Sequence, residues 1–237
     1  MRRVLIAVPA VAIVVAVAAA AGWWFLIRED AHLATSAPEI PQELIDTSAT
    51  PVASGSTDGL TFKINSAQSE AAYFVNEELA SVGLPSTAKG VTKQVTGMFQ
   101  LTADGSALAA GAQSQFTVDL RHLTSDKSMR DNRVQQALET GRYPSATFTV
   151  HSVSGYEPSI PEGKEQSLHL TGVLGLHGMQ KEVTWDVKAF RQANVISALA
   201  TLKVTFADFN ITAPRFGGLV SIDDNATLQV QIIAELV

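Results

Sequence analysis

The chain has no cysteine, which excludes disulfides, thiol catalysis and thiolate metal sites. Charge is scarce as well, at 17% of residues, and cations do not cluster beyond Arg2-Arg3. With a net charge of −6 and no basic patch, nucleic acid is a poor partner, since phosphate binding needs grouped Lys and Arg. The five histidines, His32, His122, His151, His169 and His177, never pair at i, i+2 or i, i+4, so no metal site is expected. No GxSxG nucleophile elbow exists, and no internal repeat stands out. What remains is 237 residues that are 46% hydrophobic, enough for one or two domains with a sizeable core.

Part of that hydrophobicity sits at the N-terminus. Val4 to Ile27 carries no charge; at ~1.5 Å per residue it spans about 36 Å as a helix, enough to cross a bilayer core. Trp23-Trp24 suit the membrane–water interface, and Arg2-Arg3 keep the short leading side in the cytoplasm. Residues 1–30 therefore read as a single-pass signal anchor with the rest extracytoplasmic. The alternative is a cleaved signal peptide, with Ala18-Ala19-Ala20 as the cleavage region and a secreted product. Residues 31–58, rich in Ala, Ser, Thr and Pro without apolar periodicity, read as a flexible linker with an r.m.s. span near 30 Å. A brief helical turn is allowed around Pro41–Ile45.

From Gly59 to Val237 the pattern becomes period-two alternation, the mark of half-buried strands. Tyr73, Val75 and Leu79 share one side. Phe116, Val118 and Leu120 alternate with Gln115, Thr117 and Asp119, and Phe148 and Val150 follow the same rule. Farther on, Leu168, Leu170, Gly172, Leu174 and Leu176 face away from His169, Thr171 and His177. Val183, Trp185, Val187 and Ala189 form another row, as do Ile196 to Phe206 and Leu228 to Leu236 at every second position. About eight long strands, each apolar on one side, are best satisfied by an antiparallel sheet closed on itself, which leaves no edge exposed. A two-sheet sandwich is the alternative. One short polar helix interrupts the pattern, capped by Ser125 or Asp126, stopped by Gly141 and Pro144, and touching the sheet through Met129, Val134 and Leu138 as a lid. Arg130-Asp131 reads as a surface pair on that helix or, alternatively, as a head-group contact at the barrel mouth.

Two segments carry a family resemblance. LTSDKSMRDNRVQQALETGRYPSATF, with its Arg-Asp pair, Tyr-Pro and Thr-Phe, resembles a signature of the YceI-like polyisoprenoid-binding family. The hairpin LTGVLGLHGMQKEVTWDV resembles its second signature, and Leu84 to Gly97 is similar to a longer loop seen in some members. Gly175, Met179, Gln180 and Glu182 depart from the usual residues at the hairpin turn. The resemblance covers residues 59–237 and implies an all-β, eight-stranded, lipocalin-like barrel that holds an isoprenoid quinone or polyprenol, with no catalytic residues.

An eight-stranded barrel is either filled by its own side chains or holds one small ligand. Small residues on the inward rows (Gly97, Gly172, Ala189, Ala198, Ala200 and Ala234) set among large aromatics favour a cavity. Its expected lining is Phe99, Phe116, Val118, Phe148, Val150, Leu170, Leu174, Trp185, Val187, Ala198, Ala200, Leu202, Val230 and Ile232. The expected function is binding of a polyisoprenoid lipid for transport, storage or sequestration, with no cofactor, no metal, no enzymatic activity, and a membrane contact through the N-terminal helix. The competing readings are an enzyme acting on a lipid in the same cavity, which needs a titratable group pointing inward, and a solid-core interaction domain.

Overall fold

Alternation along the chain becomes eight staves of a closed antiparallel barrel. The structure is a computed structural model that describes residues 31–45, 59–79, 84–111, 114–213 and 220–237. Its strands are β1 (Leu60–Ile64), β2 (Glu70–Leu79), β3 (Leu84–Thr92), β4 (Val95–Leu101), β5 (Gln115–Asp119), β6 (Ser145–Ser154), β7 (Gln166–Leu176), β8 (Met179–Gln192), β9 (Val195–Thr205), β10 (Val220–Ile222) and β11 (Asn225–Leu236). The pairing runs β1-β4-β5-β6-β7-β8-β9-β11 and closes where β11 meets β1, with Phe62 opposite Leu236. No helix among the described residues is long and apolar enough to cross a membrane; the expected span, Val4 to Ile27, lies outside them.

Two staves are broken by bends. β11 pairs with β1 through Ala234 and Leu236, and with β2 through Thr227 to Gln231, so β1 and β2 are two halves of one stave. The 3-10 turn Ser66–Gln68 makes the bend, held by the Asn65 side chain accepting from the Ala67 amide. β4 pairs with β1 while β3 pairs with β2, so the neighbouring stave breaks likewise. Leu84 to Gly97, expected as a loop, is therefore strand β3, a two-residue link and the start of β4; its Val91 also bridges Thr124. The helix α1 (Ser128–Ala137) follows that bridge, and its Gln135 Nε2 donates to Leu120 O at 2.9 Å.

The helix begins later than expected, with Lys127 at its N-cap and no side-chain cap there. Asp131 instead reaches back to accept from the Ser125 amide and hydroxyl, at 2.7 and 2.6 Å. Val134 and Leu138 pack on the core, but Met129 is 68% exposed and does not touch the sheet as expected. The helix ends at Ala137 with Leu138 as its C-cap, and Glu139 just beyond takes the left-handed conformation (φ 45°), two residues before the expected stop at Gly141.

Residues 31–45 are not a free tether. The Ala34 amide donates to Gln229 Oε1 at 2.9 Å and the Gln229 amide returns a bond to Ala34 O, also at 2.9 Å. Ser197 Oγ donates to Pro38 O, and Asn194 Nδ2 to Leu44 O. Ile40 then buries against Val195 and Ile233 on the outside of β9 and β11. The outward positions of these strands include apolar residues, so the sheet is greasy on both faces here, and the segment covers what water would otherwise meet. This strap begins at Thr87, whose carbonyl accepts from the Ala31 amide, and ends at the β8–β9 turn, so it runs the length of the barrel. Residues 46–58 of the expected linker lie outside the described residues. Truncating Ile40 to Ala is expected to lower barrel stability by about 2 kcal/mol or more, read as a shifted denaturation midpoint; a free tether would show no change.

Candidate functional site

The inward rows do not fill the barrel. They surround an apolar cavity of about 200 Å³ that reaches from α1 toward the middle of the staves. Of the residues expected to line it, Phe116, Val118, Phe148, Leu170, Leu174, Trp185, Ala200, Val230 and Ile232 do so. Phe148 and Trp185 meet edge to face with ring centroids 5.9 Å apart, a favourable geometry for aromatic pairs.

Five expected lining residues lie elsewhere. Val150 and Val187 are buried in the packed core around the cavity, and Ala198 and Leu202 pack against that same core. Phe99 sits below the cavity: it stacks on Phe62 at 5.4 Å and leans on Phe116 at 6.0 Å. Phe62 and Ala234 are fully buried beside it, so this end of the barrel is solid and the cavity is blind. Nor do all the small inward residues make room. A Cβ on Gly172 would come within 2.1 Å of Thr149 O, at a strand irregularity between Val150 and Ser152. Gly172 serves close backbone approach there, not cavity volume.

The other end carries the polar groups. Arg130 of α1 turns into the barrel, where its side chain is only 12% exposed. It donates through Nε to Glu77 Oε1 at 3.2 Å and through Nη2 to Glu77 Oε2 at 3.0 Å, and pairs with Asp126 through Nη1. Burial works against its charge, but the bonds to Glu77 and the field of Asp126 outweigh it and hold the guanidinium protonated. Tyr73 lines the cavity beside this pair, with its ring against Gly90. Burial pushes its hydroxyl far above the ordinary tyrosine range despite the opposing field of Arg130, so the group stays a neutral donor.

The expectation of an exposed Arg130-Asp131 pair is therefore corrected: the two diverge, Asp131 to Ser125 and Arg130 to Glu77. Glu77 was legible. It has the parity of Tyr73 and Val75, which face inward, and its charge obscured that. It is the titratable group an enzyme in this cavity would need, yet both its oxygens are engaged by Arg130. No group of three or more His, Asp or Glu residues among the described residues is arranged to hold a metal ion.

A closed antiparallel barrel with a blind, greasy cavity and one polar mouth is built to enclose an apolar molecule. The YceI-like domain profile matches residues 62–234, and the chain belongs to that family. Two solved structures share the fold. One is a polyisoprenoid binding domain from Saccharophagus degradans implicated in plant cell wall breakdown: TM-score 0.57, 16% identity, 75% of this chain and 99% of that one. The other is BcnA from Burkholderia cenocepacia: TM-score 0.53, 18% identity, 72% of this chain and 98% of that one. No curated protein matches the sequence.

Because the Arg130–Glu77 pair is buried, removing one partner strands the other charge. Arg130→Met is expected to cost about 3–5 kcal/mol, and adding Glu77→Leu should recover much of that. Equal losses in the single and double variants, by thermal melts, would show that the pair is solvated.

Proposed function

We propose that the protein binds a polyisoprenoid lipid in the barrel, for transport, storage or sequestration, at an extracytoplasmic membrane surface. The observation that carries this is the cavity itself, with walls that are almost wholly aliphatic and aromatic and with charged groups only at Glu77 and Arg130. A dry cavity of about 150 Å³ holds one benzene, so 200 Å³ encloses about eight carbons of an isoprenoid tail. Burying them yields on the order of 6 kcal/mol gross at ~0.8 kcal/mol per methylene. Immobilisation consumes a good part of that, leaving reversible binding. The name of the Saccharophagus relative supports an isoprenoid among apolar ligands.

Membrane attachment through residues 4–27 gains support from the strap. Only residues 28–30 separate that apolar run from Ala31, which is bonded at Thr87 on the α1 end of the barrel. Three residues reach about 10 Å, so the mouth would lie close to the bilayer, where lipid can pass without crossing water.

Two measurements test this. Native mass spectrometry of the full chain released from membrane should show an intact lipid adduct, and Ala200→Phe, which fills the cavity, should lose it. An adduct of unchanged occupancy in that variant, or a chemically converted lipid, would overturn the reading. Since the chain has no cysteine, single labels are clean: a fluorophore on Met129→Cys should be quenched by a bilayer-borne quencher far more than one on Tyr156→Cys at the opposite end. Equal or reversed quenching would refute the placement of the mouth.

A further inference from the structure

The charged groups of the cavity wall meet at the mouth and are already committed to one another. Each of the guanidinium nitrogens of Arg130 is engaged by a carboxylate, Nε and Nη2 by Glu77 and Nη1 by Asp126. The charges that reach the Tyr73 hydroxyl are this cation and the carboxylates of Asp131, Glu77 and Asp126. Lys127 adds a second cation, 3.4 Å from Asp126. Acid therefore exceeds base around the mouth, three groups to two. What the wall has left to offer a ligand is neutral. Tyr73 lines the cavity, and its hydroxyl makes no hydrogen bond to a described residue. Gln229, also in the wall, commits its amide to Ala34 and Thr201, and Thr147 has the opposite parity to the inward Phe148.

We infer that the mouth is a charge filter: it holds, at the Tyr73 hydroxyl, isoprenoids whose head is an uncharged oxygen (a hydroxyl, a phenol or a quinone carbonyl) and turns away those that end in phosphate. This rests on the lipid-binding reading above and goes further by naming the chemistry of the ligand's polar end. Because the far end of the cavity is blind and apolar, the tail enters it and the head comes last, beside Tyr73. A neutral oxygen there needs one partner, and a hydroxyl that can donate or accept supplies it. A phosphate needs cations. It carries about −1.5 to −2 charges at neutral pH and is held by Arg or Lys groups free to meet its oxygens. Arg130 can turn to a phosphate only by releasing Glu77, which leaves a bare carboxylate in a water-poor site beside the incoming anion. Chain length does not enter, since both classes of head are borne on the same tails.

Two ligands with one tail separate the heads. The full chain in detergent is offered an equimolar mixture of geranylgeraniol and geranylgeranyl diphosphate, and bound lipid is extracted and quantified. The wild-type chain should hold the alcohol over the diphosphate by about tenfold or more. Asp126→Asn and Glu77→Gln each remove one negative charge and loosen a hold on Arg130, so each should cut that ratio by about fivefold or more. Comparing variants cancels the unequal partition of the two lipids into micelles. Asp126→Asn leaves the Arg130–Glu77 bonds in place and carries the smaller risk to folding, which thermal melts check. Tyr73→Phe keeps the ring and should weaken geranylgeraniol about two- to tenfold, with binding of the headless hydrocarbon phytane unchanged. Equal loading of alcohol and diphosphate on the wild-type chain, or an unchanged ratio in the folded Asp126 and Glu77 variants, overturns the filter and leaves lipid binding standing. Geranylgeraniol held equally well by Tyr73→Phe overturns the placement of the head. Absence of any bound isoprenoid overturns both the filter and the lipid-binding reading.

Discussion

Closure of the sheet through β11 is the constraint on which the rest depends. That strand pairs with β9 along nearly its whole length on one edge, and with β1 and β2 in succession on the other. Once the ring is shut, every second side chain is committed to the interior, because a slip of one residue would exchange inner and outer faces on a whole strand. An interior this apolar is stable only when water is kept out of it, and the closed ladder leaves the backbone groups satisfied while doing so.

The bends in two staves are what turn a closed ring into an asymmetric container. Where β1 and β4 run, the barrel is narrow enough for Phe62, Phe99 and Ala234 to fill it. Where β2 and β3 splay past the bends, the ring is completed by the bridge at Thr124 and by α1, whose inward side is thin and partly polar. Strand closure at one end and helix closure at the other give one end that is rigid and one that is held by a few contacts. Elements with few buried apolar contacts open at lower free energy than core strands, so the α1 end opens more readily than the end closed by strands.

How much of this the sequence disclosed follows from what period two can report. It reports faces, so the inward rows, the barrel and the aromatic character of the interior were all readable. It does not report depth along a stave, so Phe99 and Phe116, two equally inward aromatics, could not be divided into floor and lining. Nor does it report what lies outside a face. Val195 and Ile233 lie off the inward rows, and the docked strap accounts for their burial. The strap lacks periodicity because it is neither helix nor strand; its specificity lies in bonds such as the Gln229–Ala34 pair, made across a sequence distance no local pattern can see. Glu77 was missed for a different reason: a charge on an inward row reads as an error in the row until its cation is found.

That cation gives the mouth its character. An ion pair in a greasy barrel seldom adds stability over apolar packing, since desolvating both charges offsets their attraction. Here the arrangement restricts where α1 can sit, because any displacement of the helix separates Arg130 from Glu77 on β2 while both remain shielded. The pair therefore fixes the position of the helix over the cavity instead of adding net stability.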